Sequence, residues 1–95
     1  MGHAIVRNES LYTHISTNTT TLVTTGRGTL HTIVLNTTSA GAITIYDGVS
    51  AGGAVIAILK ASVAEQTFIY DVVFSAGLCI VTAGASDLTV SWTKP

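Results

Sequence analysis

The stretch Thr29-Leu30-His31-Thr32-Ile33-Val34-Leu35-Asn36 (TLHTIVLN) decides the fold. Apolar residues along the chain recur with period two between turn residues, and in this stretch β-branched side chains fill half of the positions. That pattern predicts a strand with Leu30, Thr32 and Val34 on one face and His31, Ile33 and Leu35 on the other. The turn Thr37-Thr38-Ser39-Ala40-Gly41 follows, and then a second strand, Ala42 to Asp47 (AITIYD). In it Ile43 and Ile45 share one face and Thr44 and Tyr46 the other. Asp47-Gly48 opens a loop of small residues, Val49 to Gly53, of the kind that reverses a chain between strands.

The same alternation continues outward in both directions. Ala54 to Lys60 (AVIAILK) is apolar on both faces, as expected of a central strand of a sandwich. Thr67 to Phe74 (TFIYDVVF) is a strand bent near Asp71, Gly77 introduces Leu78 to Thr82 (LCIVT), and Asp87 to Thr93 (DLTVSWT) puts Leu88, Val90 and Trp92 on one face. Only Ala61 to Gln66 has room for a helical turn. On the N-terminal side, Leu11 to Ile15 (LYTHI) and Thr19 to Thr25 (TTTLVTT) have strand propensity in a more polar setting that holds Arg7, Glu9 and Arg27. The expected organisation is therefore all-β: a compact two-sheet β-sandwich or jelly-roll-like body over residues 29–95, preceded by an N-terminal extended arm with one or two first strands over residues 1–28. Two short echoes, Ala40-Gly41-Ala42 and Ala83-Gly84-Ala85, read as shared turn chemistry rather than as a repeat.

Composition bounds the function. The chain has 95 residues, enough for one domain and no second core. Val, Ile and Leu account for 26 residues, Thr for 16 and Ser for 8, whereas charged residues make up only 9%. An ordinary domain carries about 25%, so hydroxyls, amides, Gly and Ala must cover this surface. Disordered chains lack so many branched apolar residues. The longest nearly apolar run, Ala54 to Leu59, is far short of the roughly 18 residues of a membrane-spanning helix. With a net charge of −1 and no basic stripe, nothing is set to neutralise phosphates, and no nucleic-acid or membrane partner is expected. The N-terminus, Met1 to Arg7, lacks the pattern of a secretion signal.

No constellation of catalytic type is visible, so neither enzymatic activity nor a cofactor is expected. Asp47 and Asp87 stand at strand ends beside Gly or Ser, where aspartate favours turns. Asp71 interrupts an apolar strand, as a bulge, an edge charge against aggregation or the partner of a basic residue would. His3, His14 and His31 form no ligand pair at helical or hairpin spacing and read as surface or interface residues. On a three-fold axis, however, one histidine becomes three symmetric ligands, which leaves His14 and His31 as candidates in a trimer. Cys79, the single cysteine, sits in an apolar run and reads as a small buried hydrophobe. The triplets Asn8-Glu9-Ser10, Asn18-Thr19-Thr20 and Asn36-Thr37-Thr38 are what chance yields in so Thr-rich a chain. Small size, no disulfide and few charges together point to a homo-oligomer that hides an apolar, Thr-lined face.

The segments GTLHTIVLNTTSAGAITIYDG, GGAVIAILKA and TFIYDVVFSAGLCIVTAGASDLTVSW, spanning Gly28 to Trp92, resemble small structural proteins encoded in tailed-phage genomes. The resemblance rests on strand-and-turn chemistry and implies a virion component without catalytic residues. It is most similar to capsid decoration (cement) proteins, which sit as trimers on the head, and it implies the major capsid protein as partner through an arm over residues 2–28. The alternative within the same class is a head-fibre, tail-tip or receptor-binding module using the loops Asp47–Gly53 and Ala83–Ser86. A carbohydrate-binding face built on Tyr12, Tyr46, Tyr70 and Trp92 is a third reading.

Overall fold

The alternation read around Thr29–Asn36 becomes the longest strand of the protein. A computed structural model describes Ser10 to Pro95, and among these residues eight strands follow one another: β1 (Leu11–Ile15), β2 (Thr19–Thr25), β3 (Gly28–Thr37), β4 (Ile43–Asp47), β5 (Ala54–Leu59), β6 (Thr67–Phe74), β7 (Gly77–Thr82) and β8 (Asp87–Thr93). They form two four-stranded antiparallel sheets, ordered β1-β8-β3-β6 and β2-β7-β4-β5. The pairing is nested: β1 with β8, β2 with β7, β3 with β6, β4 with β5. A long two-stranded ribbon rolled over itself gives this order, and β3–β8 and β4–β7 pairs close each sheet. That is the jelly roll of the two expected sandwich types.

β1 and β2 are full members of the sheets, β1 on the edge of one and β2 on the edge of the other. The sheet body therefore begins at Leu11 and not at Thr29. An arm can include at most the residues before it, and residues 1–9 lie outside the described residues. Ala61–Gln66 forms turns, with Ser62 at φ 59° and Val63 N–H donating to Lys60 O at 3.2 Å, and no helix.

The core lies between the sheets. Leu30, Ile33, Leu35, Leu88, Val90, Trp92, Phe74 and Ile15 meet Ile43, Ile45, Leu59, Leu78 and Ile80. Each fully buried aliphatic or aromatic side chain stabilises the fold by about 1.5–3 kcal/mol before the entropy cost. The predicted faces of β4 and β8 hold. The face of β3 does not: Leu30 joins Ile33 and Leu35 in the core. His31 is an extra residue in β3 between the pairs Leu30↔Trp92 and Thr32↔Ser91, so the alternation slips by one there. β5 is an edge strand, not the central strand its apolar sequence suggests. Val55 and Ile58 are exposed, while Ile56 and Ala57 pack against the core.

The two ends of the sandwich are tied by different loops. At one end the β3–β4 and β7–β8 loops interlock. The two Ala-Gly-Ala echoes are each other's neighbours: a Cβ on Gly41 would collide with the backbone of Ala83 and Gly84, meeting Ala83 O at 2.7 Å. Ser39 Oγ lies 2.8 Å from Ser86 Oγ, Ala83 N–H donates to Ala42 O at 3.0 Å, and Asn18 Nδ2 donates to Ala83 O at 3.3 Å. At the other end Gly48 N–H donates to Gly77 O at 3.1 Å and Gly26 N–H to Ala76 O at 2.9 Å.

Candidate functional site

The outer faces of the two sheets differ in chemistry, and each is built by the register of its strands. On the β1-β8-β3-β6 sheet, the outward rows run His14–Thr89–Val34–Thr67 and Tyr12–Ser91–Thr32–Ile69. Hydroxyls occupy three of the four positions on the two central strands, with Val34 at the fourth, and Thr32 Oγ1 and Ser91 Oγ are 2.6 Å apart. Tyr12 stands on the edge, 74% exposed.

Two histidine–aspartate pairs flank these rows. His14 donates from Nε2 to Asp87 Oδ1 at 2.7 Å, which places the proton on that nitrogen. Asn36 Nδ2 donates to the same oxygen at 2.9 Å and lies 3.3 Å from Thr89 Oγ1. The Asn36 amide, and after it the His14 ring, hold the Asp87 carboxyl below the ordinary carboxylate value. Asn36 reaches Asp87 because it is itself an extra residue, between the pairs Leu35↔Leu88 and Thr37↔Asp87.

The second pair joins His31 Nδ1 to Asp71 Oδ1 across β3 and β6. Where β8 has no residue between Trp92 and Ser91, β3 has His31 and β6 has two, Tyr70 and Asp71. The bulge thus widens from strand to strand toward the edge. Asp71 takes a left-handed backbone, φ 51°, which aspartate tolerates better than other non-glycine residues apart from asparagine. Asp71 is at once the bulge, the charge on an edge strand and the partner of a titratable residue. The sequence alone offered it no partner; His31, 40 positions away, supplies one.

The remaining sequence candidates separate. Asp47 does turn chemistry: Oδ1 accepts from Ala76 N–H at 2.9 Å, and both carboxylate oxygens accept from Ser75 N–H at 3.0 Å. These backbone donors, Ala76 foremost, hold its carboxyl below the ordinary value. The four aromatic residues of the carbohydrate reading do not converge. Trp92 is in the core, Tyr70 packs against it, and Tyr12 and Tyr46 stand on different sheets. The loops Asp47–Gly53 and Ala83–Ser86 lie at opposite ends of β7, so they cannot share one distal site. Among the described residues no cluster of three His, Cys, Asp or Glu side chains could hold a metal ion, and no pocket is present. His3 lies outside them.

The outer face of the β2-β7-β4-β5 sheet is apolar. Its rows are Leu22–Cys79–Tyr46–Val55 and Thr20–Val81–Thr44–Ile58. Cys79 is buried, as its run suggested, but on the side of β7 opposite Leu78 and Ile80. It lies between Leu22 and Tyr46, 1% exposed, and burial pushes its thiol up. Leu22, Val55 and Ile58 are 46%, 54% and 63% exposed. The sequence hid this face because the apolar run of β5 read as two buried sides. Only the edge position of β5 shows that one of them is bare. No protein-family model and no curated protein matches the chain.

Proposed function

We propose that this chain is a non-enzymatic structural subunit of a tailed-phage particle. In this reading it is a decoration (cement) protein that assembles as a homotrimer in the host cytoplasm and binds the major capsid protein on the head. The single observation that carries it is the outer face of the β2-β7-β4-β5 sheet, which has no charged side chain in either row and exposes Leu22, Val55 and Ile58. A subunit with a charge-free apolar face that calls for a cover matches a particle component. The resemblance of Gly28–Trp92 to small tailed-phage structural proteins and the jelly-roll order, a fold used by viral capsid domains among others, support the same reading by analogy. Decoration needs a rigid body and symmetric weak contacts that act together, so avidity replaces a strong single site.

Cosedimentation with expanded empty capsids tests the reading. A decoration protein saturates the heads at a fixed stoichiometry and raises their resistance to heat. Binding that fails to saturate, or none at all, overturns it.

A further inference from the structure

A sheet edge presents unpaired main-chain N–H and C=O groups in a row, and bulges, charges and proline are the usual devices that keep other strands off it. Four strands of this sandwich are edges: β1 and β6 of one sheet, β2 and β5 of the other. Three of them carry an extra residue of their own. In β2 it is Val23, between the pairs Leu22↔Cys79 and Thr24↔Leu78; in β5 it is Ile56, between Ala57↔Ile45 and Val55↔Tyr46. In β6, Tyr70 and Asp71 face the single His31, and Asp71 also sets a charge on the edge. Each bulge bends its strand and breaks the row. β1 has none: Leu11 to Ile15 pair with Trp92 to Leu88 in unbroken register, without proline, lysine or a carboxylate. No other described segment pairs with its outer edge. The core is open there too. Leu11 pairs with buried Trp92 and so stands on the core side of the sheet, yet it is 43% exposed.

We propose that the edge of β1 is a strand-accepting surface: an extended segment of the protein it docks on pairs with Leu11–Ile15 and becomes a fifth strand of the β1-β8-β3-β6 sheet. The partner is the major capsid protein under the reading above, on which the inference rests. The edge itself specifies the chemistry of the segment. A row of main-chain donors and acceptors is satisfied by extended backbone and not by a helix. An apolar side chain beside Leu11 covers the exposed margin of the core, and its neighbours one position along lie beside Tyr12 on the outer side, where the row continues through Ser91 and Thr32. A second copy of the chain is the poorer donor. Its other three edges are bulged, and pairing β1 with β1 joins two copies only, which does not build a trimer. Five residues at roughly 3.4 Å each make a ladder about 17 Å long. Such a contact is weak singly and gains from repetition on a particle surface.

Saturation binding of the full chain to expanded empty capsids, read together with hydrogen exchange of the β1 amides, tests the inference. Exchange at Leu11–Ile15 is expected to slow by about 10-fold or more on the capsids and to be independent of concentration in the free chain. Tyr12 and Thr13 are neighbours, so their N–H groups point to opposite sides of β1, one toward β8 and one outward. Of Tyr12→Pro and Thr13→Pro, the one that removes the outward N–H keeps the fold by circular dichroism, because an edge tolerates proline. That variant is expected to bind capsids roughly 10-fold more weakly. Leu11→Lys sets a charge into the core side of the edge; it should act in the same way, and it serves if both proline variants unfold. Val73→Lys, on the bulged edge β6, is expected to bind as the wild type does. Saturable binding with unchanged β1 exchange, or with undiminished affinity in the folded β1 variants, overturns the inference and leaves the decoration reading intact. Protection of β1 in the free chain overturns it as well: if it rises with concentration another copy holds the edge, and if it persists on dilution the chain itself does. Absence of saturable binding overturns the decoration reading, and this inference with it.

Discussion

Replacing Asp71 with valine would make β6 look better as a strand and should make the protein worse. The substitution gives Thr67–Phe74 an unbroken apolar and β-branched run, and strand propensity alone would credit it with up to about 1 kcal/mol. The backbone opposes this. Asp71 sits at φ 51°, a left-handed conformation that costs an ordinary L-residue about 1–2 kcal/mol and is worst for β-branched side chains. The pair with His31 is also lost. Both partners are about half exposed or more, so that pair is worth at most about 1 kcal/mol after solvent screening. The bulge holds β6 in register with β3, and a two-residue segment facing one cannot relax to the extended form without moving Ile69 or Val72 off their partners. The propensity gain is therefore not realised, and the net loss is about 1.5–2.5 kcal/mol.

For a domain of this size each kcal/mol lowers Tm by about 4–8 °C, so Asp71→Val should melt roughly 6–20 °C below the wild type. Urea unfolding followed by circular dichroism should give the same loss with an unchanged slope. Asp71→Asn keeps a residue type suited to the left-handed region and loses only the charge, so it should stay within about 0.5 kcal/mol of the wild type. Asp71→Gly removes the strain but enlarges the unfolded ensemble, and it should lie between the two. Because Ile69 and Val73 are exposed on the same edge strand, the valine variant should also aggregate more readily on heating. A valine variant as stable as the wild type, with the asparagine variant no better, would refute the account of the bulge as backbone-determined.

Three further outcomes are expected. Gly41→Ala should cost about 1–3 kcal/mol or more by denaturant unfolding, since its Cβ meets immovable backbone of Ala83 and Gly84; a variant of native stability would show that the two loops are not interlocked. Trp92→Phe should change stability by less than about 1 kcal/mol. The buried indole Nε1–H has no hydrogen-bond partner among the described residues, so removing it offsets the lost ring surface by about 1–3 kcal/mol; a loss above about 2 kcal/mol would mean that the N–H is bonded. Stability should fall on acidification. The native carboxyls of Asp47 and Asp87 lie below the ordinary value of 3.8, so their contribution is complete above that value and disappears as pH drops through their native values. Asp47→Asn should lower stability at neutral pH and flatten this acid limb, and a limb as steep as the wild type's would assign the effect elsewhere.

The strands were legible because alternation is a local property. Leu11–Ile15, Thr19–Thr25, Thr67–Phe74 and Asp87–Thr93 are bounded in the structure as the residues predict. What was not legible depends on partners. His31 shifts Leu30 onto the core face only because β8 has no matching residue, and no count along β3 reveals that. β5 reads as doubly buried because its own residues are apolar on both sides, but whether a strand is central or an edge is a property of the sheet. The His14–Asp87 and His31–Asp71 pairs join residues 73 and 40 positions apart, distances over which spacing rules carry no signal. The first 28 residues looked separate because they are more polar. An edge strand such as β1, with one face toward hydroxyl rows and solvent, can be polar and still belong to the sheet.

The low charge of the chain takes on a different meaning once it is divided between faces. Threonine is both a good strand former and a side chain that water accepts, so the outward rows of the β1-β8-β3-β6 sheet are wetted by Thr89, Ser91 and Thr32 without lysine or glutamate. The edge strand β6 of that sheet still exposes Ile69 and Val73, and on the other sheet Thr20 and Thr44 stand in one row. Leu22, Cys79, Tyr46, Val55, Val81 and Ile58 fill the remaining positions there. Core packing does not require this, because the core is served by the opposite side of each strand. A net charge of −1 gives little colloidal repulsion to protect such a surface from indiscriminate association. Under the assembly reading proposed above, this apolar outer row is covered in the working state. It follows that a charge placed at Ile58, 63% exposed, should improve the dispersal of the free chain on heating without loss of fold, which turbidity and circular dichroism check.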